Sequence, residues 1–468
     1  MQIRRWLSFF GLLSLWAVCL SCGQNYRLPI IQIPGDPGDP KLYHFAMTIS
    51  TNDPVADANV PGTVMQADVV GDMDVGEAPV GRGPIFATLL PTGSANRIYV
   101  VNGLEETVST TTAAPQSCSP GPVCPIGTVS TITMPAGSVP SYLNSTEASN
   151  MYVILQNLNR LGQGVSAAPS VGVISVFQNS LQQEIVLPAG NPAAMVELPN
   201  GHKLYVVDQT NSAVYVVNTV SRQIEQTLVV GPAPSMAIAS PDNSAVYVMT
   251  HTGVSVIDAL TDVVIGSLPT AAQPNSIAYD TKLGRLYTTD TAGQVGVYDA
   301  ATAGGTLPTM LKVLLLPTDN AGRGPIGVAP LPDGSRFYVL SIDPDHATTP
   351  LGTSLTLTAV DSKTLVLPNP LIQFSMDPLN PPLTQGASPV PAAVVPYCIS
   401  VRFRYMVGAS ADSGRVYVSS CDAGGTYIFR TSDNTGVFLL PSPNQPPILQ
   451  AGQPVYPRQN PVFLITGR

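Results

Sequence analysis

The sequence predicts an all-β protein built from a repeated unit of four antiparallel strands, and three observations carry that prediction. Charged residues are only 11% of the 468, while 46 prolines and 40 glycines together exceed one residue in six. Such a composition favours short strands and frequent turns over long helices. A tyrosine strand recurs seven times: RIYVVN around Tyr99, NMYVIL around Tyr152, KLYVVD around Tyr205, AVYVMT around Tyr247, RLYTTD around Tyr287, RFYVLS around Tyr338 and RVYVSS around Tyr417. The tightest copies, at Tyr205, Tyr247 and Tyr287, are 42 and 40 residues apart. A period near 40 to 45 residues belongs to propellers or helical arrays, and the β-branched content of these strands excludes the arrays.

Each unit has the same order of elements. A small-residue strand follows a Gly/Pro turn, as in NPAAMVEL, APSMAIAS and QPNSIAYD; a short turn such as PNGHK or PDNSA leads into the tyrosine strand. A third strand ends at Asn218, Asp258, Asp299 or Asp361, where a carboxylate or amide can bond the backbone of the next turn. A fourth strand, such as IEQTLVVG, completes the unit. Small residues on the first strand suit a β-propeller blade, because the innermost strands converge on a narrow channel.

The ends of the chain supply the closure. YHFAMTIS, GTVMQADVV and DMDVGEAP read as second, third and fourth strands without a first, and NPVFLITGR reads as a first strand without the rest. Joined, they make a composite blade and a ring of eight, which leaves no edge strand open to aggregation. If the terminal segments only dress the outside, the count is seven.

These motifs resemble the YVTN-type β-propeller repeat of exported bacterial and archaeal proteins, through YVVN at Tyr99 and YVVD at Tyr205. The resemblance covers nearly everything after residue 80. It implies the fold and leaves function open between surface binding proteins and, more distantly, lactonase-like enzymes.

Arg4 and Arg5 precede the uncharged apolar run Trp6 to Leu20, followed by Ser21 and Cys22. This is the order of an export signal. CLSC resembles the lipobox of bacterial lipoproteins, with Cys19 where leucine is usual, and implies acylation of Cys22; the competing readings are an ordinary signal peptide and an uncleaved membrane anchor, though the run is shorter than the roughly 20 residues that span a bilayer. The expected organisation is a signal peptide over 1–21, a Pro/Gly/Asp spacer over 22–40 and one propeller over 41–468, held at the outer membrane, in the periplasm or at the cell surface. In an exported chain the remaining Cys118, Cys124, Cys398 and Cys421 point to disulfides. Cys118 with Cys124 would close the loop CSPGPVC, and Cys398 with Cys421 would tie an insertion to a strand; spacing leaves the other pairings open. It suits no metal site, and no cofactor motif is present.

In a propeller the loops entering the innermost strands and those leaving the second strands share one face, around the channel mouth. Two of the entering loops are identical, GRGPI at Gly81 and at Gly322. They would place Arg82 and Arg323 at the mouth, where guanidinium forks suit a carboxylate or phosphate; the competing reading is a turn with a solvated arginine. Asn102, Asp208, His251 and Asp290 leave the tyrosine strands and form a candidate polar ring, with turn formation as the plainer role. His251 is the candidate general base, since His44, His202 and His346 fall on a strand start, an outer turn and an insertion.

No GxSxG elbow, HExxH or P-loop occurs. The net charge of −9, without a Lys/Arg run, excludes the electrostatic footprint of a nucleic-acid binder. The expectation is a monomeric binding or scaffold module that meets an envelope or extracellular protein or polymer and the membrane through Cys22. The alternative is a lactonase-like hydrolase at the channel mouth using His251. Function should lie where the units differ: the GRGPI loops, the His251 loop and the Pro-rich insertions between Tyr338 and Tyr417.

Overall fold

The computed structural model describes residues 45–466 apart from 54–58, 69–71, 93–94, 113–123, 126, 147–148, 158–167, 302–304, 317–323, 343–354, 370–371, 377–397, 399–400, 435–437, 444–447, 451–452 and 456–458. The export signal, the spacer, Cys22, Cys118, His44, His346 and Arg323 therefore lie outside the described residues.

Eight antiparallel four-stranded blades make up the fold, each running outward from an inner strand. Blade 3 shows the pattern, with strands Pro192–Glu197, Lys203–Asp208, Ala213–Asn218 and Gln223–Val229. Blade 1 runs from Pro84 to Thr133, blade 2 from Val139 to Val186, blade 4 from Met236 to Pro269 and blade 5 from Pro274 to Leu315. Blade 6 runs from Gly324 to Met376 and blade 7 from Tyr405 to Pro441. Blade 8 is the composite expected from the two termini: Asn460–Thr466 is its inner strand, followed by Phe45–Thr51, Pro61–Asp68 and Met73–Arg82. Ala46 pairs with Thr466 and Thr51 with Asn460, so the count is eight.

Burial follows position in the blade. The second and third strands of blade 3 are buried along almost their whole length, as KLYVVD and AVYVVN, because both their faces pack on neighbouring blades. The outer strand QIEQTLV is mostly exposed, which matches its polar content. The repeat tyrosines Tyr99, Tyr152, Tyr205, Tyr287, Tyr338 and Tyr417 are fully buried, each contributing on the order of 1.5–3 kcal/mol as an apolar body. Third-strand ends close the following turn as their residue types predict. Asn218 Oδ1 accepts from the Val220 and Ser221 amides, Asp258 Oδ1 from Leu260, Asp299 Oδ1 from Ala301 and Asp361 Oδ1 from Lys363 and Thr364.

A repeated device locks adjacent blades on the face away from the mouth. The basic residue two positions before the repeat tyrosine reaches the turn between third and fourth strands of the next blade. Arg97 donates to Asn179 Oδ1 (2.9 Å) and the Val176 carbonyl, and Lys203 to Asp262 Oδ2 (2.7 Å) and the Ala259 carbonyl. Arg285 reaches the Ser362 carbonyl, and Arg336 reaches Asn434 Oδ1 and the Thr431 carbonyl. Between blades 7 and 8, Asp72 receives both Arg415 and Arg430, at 2.5 and 3.1 Å. Blade 2 carries Asn150 at this position. Its seam with blade 3 opens into a cleft of about 390 Å³ lined by Asn150, Tyr152, His202, Thr219 and Arg222.

Candidate functional site

The mouth face is built by the loops that enter the inner strands and those that leave the second strands. Arg82, Asn102, Asp208, His251 and Asp290 all stand on these loops, as their places in the repeat imply. Their surroundings differ sharply. Asp208 is fully buried. Its Oδ1 accepts from the Asn191, Thr210 and Asn211 amides, and its Oδ2 from Asn211 Nδ2 and the Tyr215 hydroxyl. Asp290, also buried, accepts from the Ala271, Ala292 and Gln294 amides. Asn102 is buried and donates through Nδ2 to Thr107 Oγ1 and Ser109 Oγ. Each of the three thus holds its own turn, and the two aspartates also hold the loop entering the inner strand. Close approach explains the glycines of those loops: a Cβ on Gly190 would sit 2.0 Å from Asp208 Oδ2, and one on Gly81 would sit 2.5 Å from Asn102 Cγ.

Arg82 pairs with Glu105 at 2.6 Å and donates to Asn59 Oδ1 at 3.1 Å. The first GRGPI loop therefore presents an arginine already engaged with a carboxylate. His251 is exposed, and its backbone amide donates to the Pro232 carbonyl. Among the described residues no group of three or more His, Cys, Asp or Glu is placed to hold a metal.

The centre of the mouth is occupied by a segment that the repeat pattern does not reveal. Residues 401–404, just before the inner strand Tyr405–Ala409 of blade 7, are fastened at their base. Cys398 forms a disulfide with Cys421, Arg404 pairs with Asp422 at 2.9 Å, and the Cys421 amide donates to the Arg404 carbonyl at 3.0 Å. From this base Arg402 crosses the channel. It donates from Nη1 to the Ala193 carbonyl in blade 3 (2.9 Å) and from Nη2 to the Ser235 carbonyl beside blade 4 (3.0 Å). Blade 3 stands opposite blade 7 in a ring of eight, so the segment ending in this side chain reaches across the ring.

Phe403 joins an aromatic cluster on the other flank, 5.8 Å from Phe86 of blade 1 and 4.9 Å from Phe463 of blade 8. Phe86 also stacks on Tyr142 of blade 2 at 4.1 Å. Inner strands elsewhere keep small residues such as Ala194 and Ala237. The large side chains of blades 8, 1 and 2, with the crossing segment, fill the channel that an eight-bladed ring leaves.

The Arg402 guanidinium lies 5.7 Å from the Tyr142 ring centroid and 5.1 Å from that of Phe403, within cation–π range. Loss of hydration inside the channel draws its pKa down, with Tyr142 opposing. The side chain nonetheless keeps an exposed surface, and a guanidinium stays charged throughout the physiological range. Among the described residues no carboxylate pairs with it. A fixed cation over an aromatic floor is chemically an anchor for a carboxylate, phosphate or sulfate, and it contains no nucleophile or general base. The sequence signal was the run VRFRY directly before an inner strand, beside a cysteine. The segment follows the Pro-rich insertion between Tyr338 and Tyr417, one of the places where the units differ.

No family model matches the chain, and no curated protein matches it. Among solved structures, hydrazine synthase of Kuenenia stuttgartiensis is similar over 75% of this chain and 96% of that one, at 16% identity and a TM-score of 0.47. The propeller of Dos1 is similar over 60% and 72%, at 13% identity and a TM-score of 0.45. The eight-bladed ring rests on the strand pairing itself.

Proposed function

We propose that the protein is an exported, lipid-anchored propeller of the YVTN repeat type. It would serve as a binding module in the cell envelope, with the mouth face around Arg402 recognising an anionic group on an envelope or extracellular protein or polymer. The propeller fold supports a binding or scaffold module. The anionic preference rests on one observation: Arg402 is held across the channel by two carbonyls and bears no carboxylate partner among the described residues. Export and anchoring are supported by Arg4 and Arg5, the apolar run to Leu20 and Ser21–Cys22. The repeat assignment is supported by the YVVN and YVVD strands. The buried carboxylates nearest the mouth, Asp208 and Asp290, are saturated by turn amides and are poor partners for a histidine base.

Capture of envelope components by the purified protein tests this reading. Wild type should retain a partner that elutes with added salt, and Arg402→Ala should lose it while Arg402→Lys keeps part. Equal capture by wild type and Arg402→Ala would remove the mouth from the proposal. Palmitate labelling that survives Cys22→Ser would remove the anchor. Lactone hydrolysis by wild type, abolished in His251→Ala, would replace the binding module with the enzyme.

A further inference from the structure

On the face away from the mouth, three successive blades present an exposed apolar residue at the same place in the turn between third and fourth strands. Phe177 of blade 2, Val220 of blade 3 and Leu260 of blade 4 each stand two residues after the third strand, and are 96%, 85% and 69% exposed. Single exposed apolar residues are ordinary on protein surfaces. These three are not scattered, because equivalent positions of adjacent blades are related by rotation about the ring axis. That rotation keeps them at one height along the axis. In blades 5, 6 and 7 the same position holds Ala301, Lys363 and Ser432, and the longer turns of blades 5 and 6 expose Leu307 and Val366 elsewhere, at 39% and 52%, so among the described residues only blades 2 to 4 present an apolar side chain at this position. The charges beside it do not repel a lipid headgroup. Arg222 is half-buried and cationic, Asp262 is neutralised by Lys203 at 2.7 Å, Asp258 is bound into its own turn by Leu260 and Thr261, and Asn179 is uncharged.

The chain meets the described body on that same face. Phe45–Thr51 starts where the inner strand of blade 8 ends, since Ala46 pairs with Thr466, and this is where other blades turn from first to second strand. Residues 22–44 reach no further than roughly 80 Å even when fully extended, so an acyl group on Cys22 would tether the body to the bilayer from this face while leaving its tilt open. We infer that Phe177, Val220 and Leu260 insert into the lipid surface and set the orientation of the anchored body, turning the Arg402 mouth away from the membrane. The inference rests on the anchor proposed above. Three side chains bury far less apolar surface than the one acyl chain that itself gives only marginal membrane binding, so they orient a tethered protein and do not hold a free one.

The mature chain provides its own reporter, because the only tryptophans, Trp6 and Trp16, leave with the signal. Phe177→Trp, in the full lipidated protein bound to phosphatidylcholine vesicles with brominated acyl chains, should shift its emission to the blue and be quenched. Adding Val220→Asp and Leu260→Asp should abolish the quenching while the protein still sediments with the vesicles. Sedimentation without quenching of the single variant overturns the lipid-facing arc and leaves the anchor standing. Failure of the wild type to sediment overturns both. Equal quenching with and without the aspartates assigns the contact to other residues and also overturns the arc.

Discussion

Asp208 and His251 illustrate how differently two polar residues on neighbouring loops are used. Asp208 is saturated by three backbone amides, an amide side chain and a phenol, so its carboxylate is the structural centre of its turn. His251 meets solvent and contributes to the fold only through its backbone. Asp208→Ala orphans several donors, of which the Tyr215 hydroxyl lies away from bulk water. The expected loss is roughly 2–3 kcal/mol. His251→Ala should stay within about 0.5 kcal/mol of wild type, as surface changes do. Urea unfolding with an unchanged m-value separates the two. A silent Asp208→Ala would return that aspartate to the list of functional candidates. Tyrosines also report their surroundings at this scale. Tyr287 has its pKa pushed up to about 12, first by burial and then by Asp280, as fits a side chain that is core and takes no part in proton transfer near neutral pH.

At the scale of the blade, the locks between neighbours decide which seam is tight. Asp72 is 3% exposed and carries two arginines, of which Arg430 keeps 46% of its side chain in solvent. Asp72→Ala therefore leaves charges that can partly rehydrate. About 2–3 kcal/mol is expected, below the range for a fully buried pair. The blade 2–3 seam tests the same device in reverse. Arg222 has φ of 57° and stands directly before a fourth strand, as Asp262 and Asn179 do at 56° and 49°. This backbone region favours Asn and Asp. Asn150→Arg alone would face Arg222 and gain nothing, whereas Asn150→Arg with Arg222→Asn rebuilds the lock. The double variant should be more stable than the sum of the singles by roughly 0.5–1 kcal/mol, read from a double-mutant cycle.

The same locks show what a linear reading can reach. Strand order, buried tyrosines and turn-closing aspartates were legible because each is encoded within one unit of about 40 residues. The basic residue of the lock stands in plain view in RIY, KLY, RLY, RFY and RVY. For the first four the acceptor lies 59 to 98 residues further on, and for Arg415 it stands 343 residues earlier at Asp72, so no fixed spacing betrays the pair. Arg402 is hidden for the same reason, being 209 residues from its carbonyl partner at Ala193. The Arg82–Glu105 pair is hidden likewise, because Glu105 lies 23 residues on, outside the repeated GRGPI motif that carries the arginine.

For the whole molecule, the decisive contact is the one that closes the ring. Blade 8 takes its inner strand from Asn460–Thr466 and the other three from the start of the described chain. The seam it forms with blade 7 is polar as well as apolar: Thr48 bonds Thr426 at 2.9 Å, Ser50 donates to Ser442 at 3.0 Å, and Asn460 donates to the Cys421 carbonyl. Phe463 adds an inward aromatic that meets Phe86 at 4.5 Å and Phe403 at 4.9 Å, so one short strand joins closure to the filling of the channel. Ending the chain after residue 458 removes the Asn460 bond and the Phe463 contacts, and leaves the Thr48 and Ser50 bonds on a strand that has lost its inner neighbour. It strips the partner from Phe45–Thr51 and bares a second-strand edge that Asn460–Thr466 otherwise covers. The truncated protein should unfold at lower urea concentration and associate on size exclusion through that edge. A peptide of residues 459–468 added in trans should restore the monomer by strand addition. A truncated chain that stays monomeric with the midpoint of the full protein would show that the seven complete blades hold the ring without the eighth.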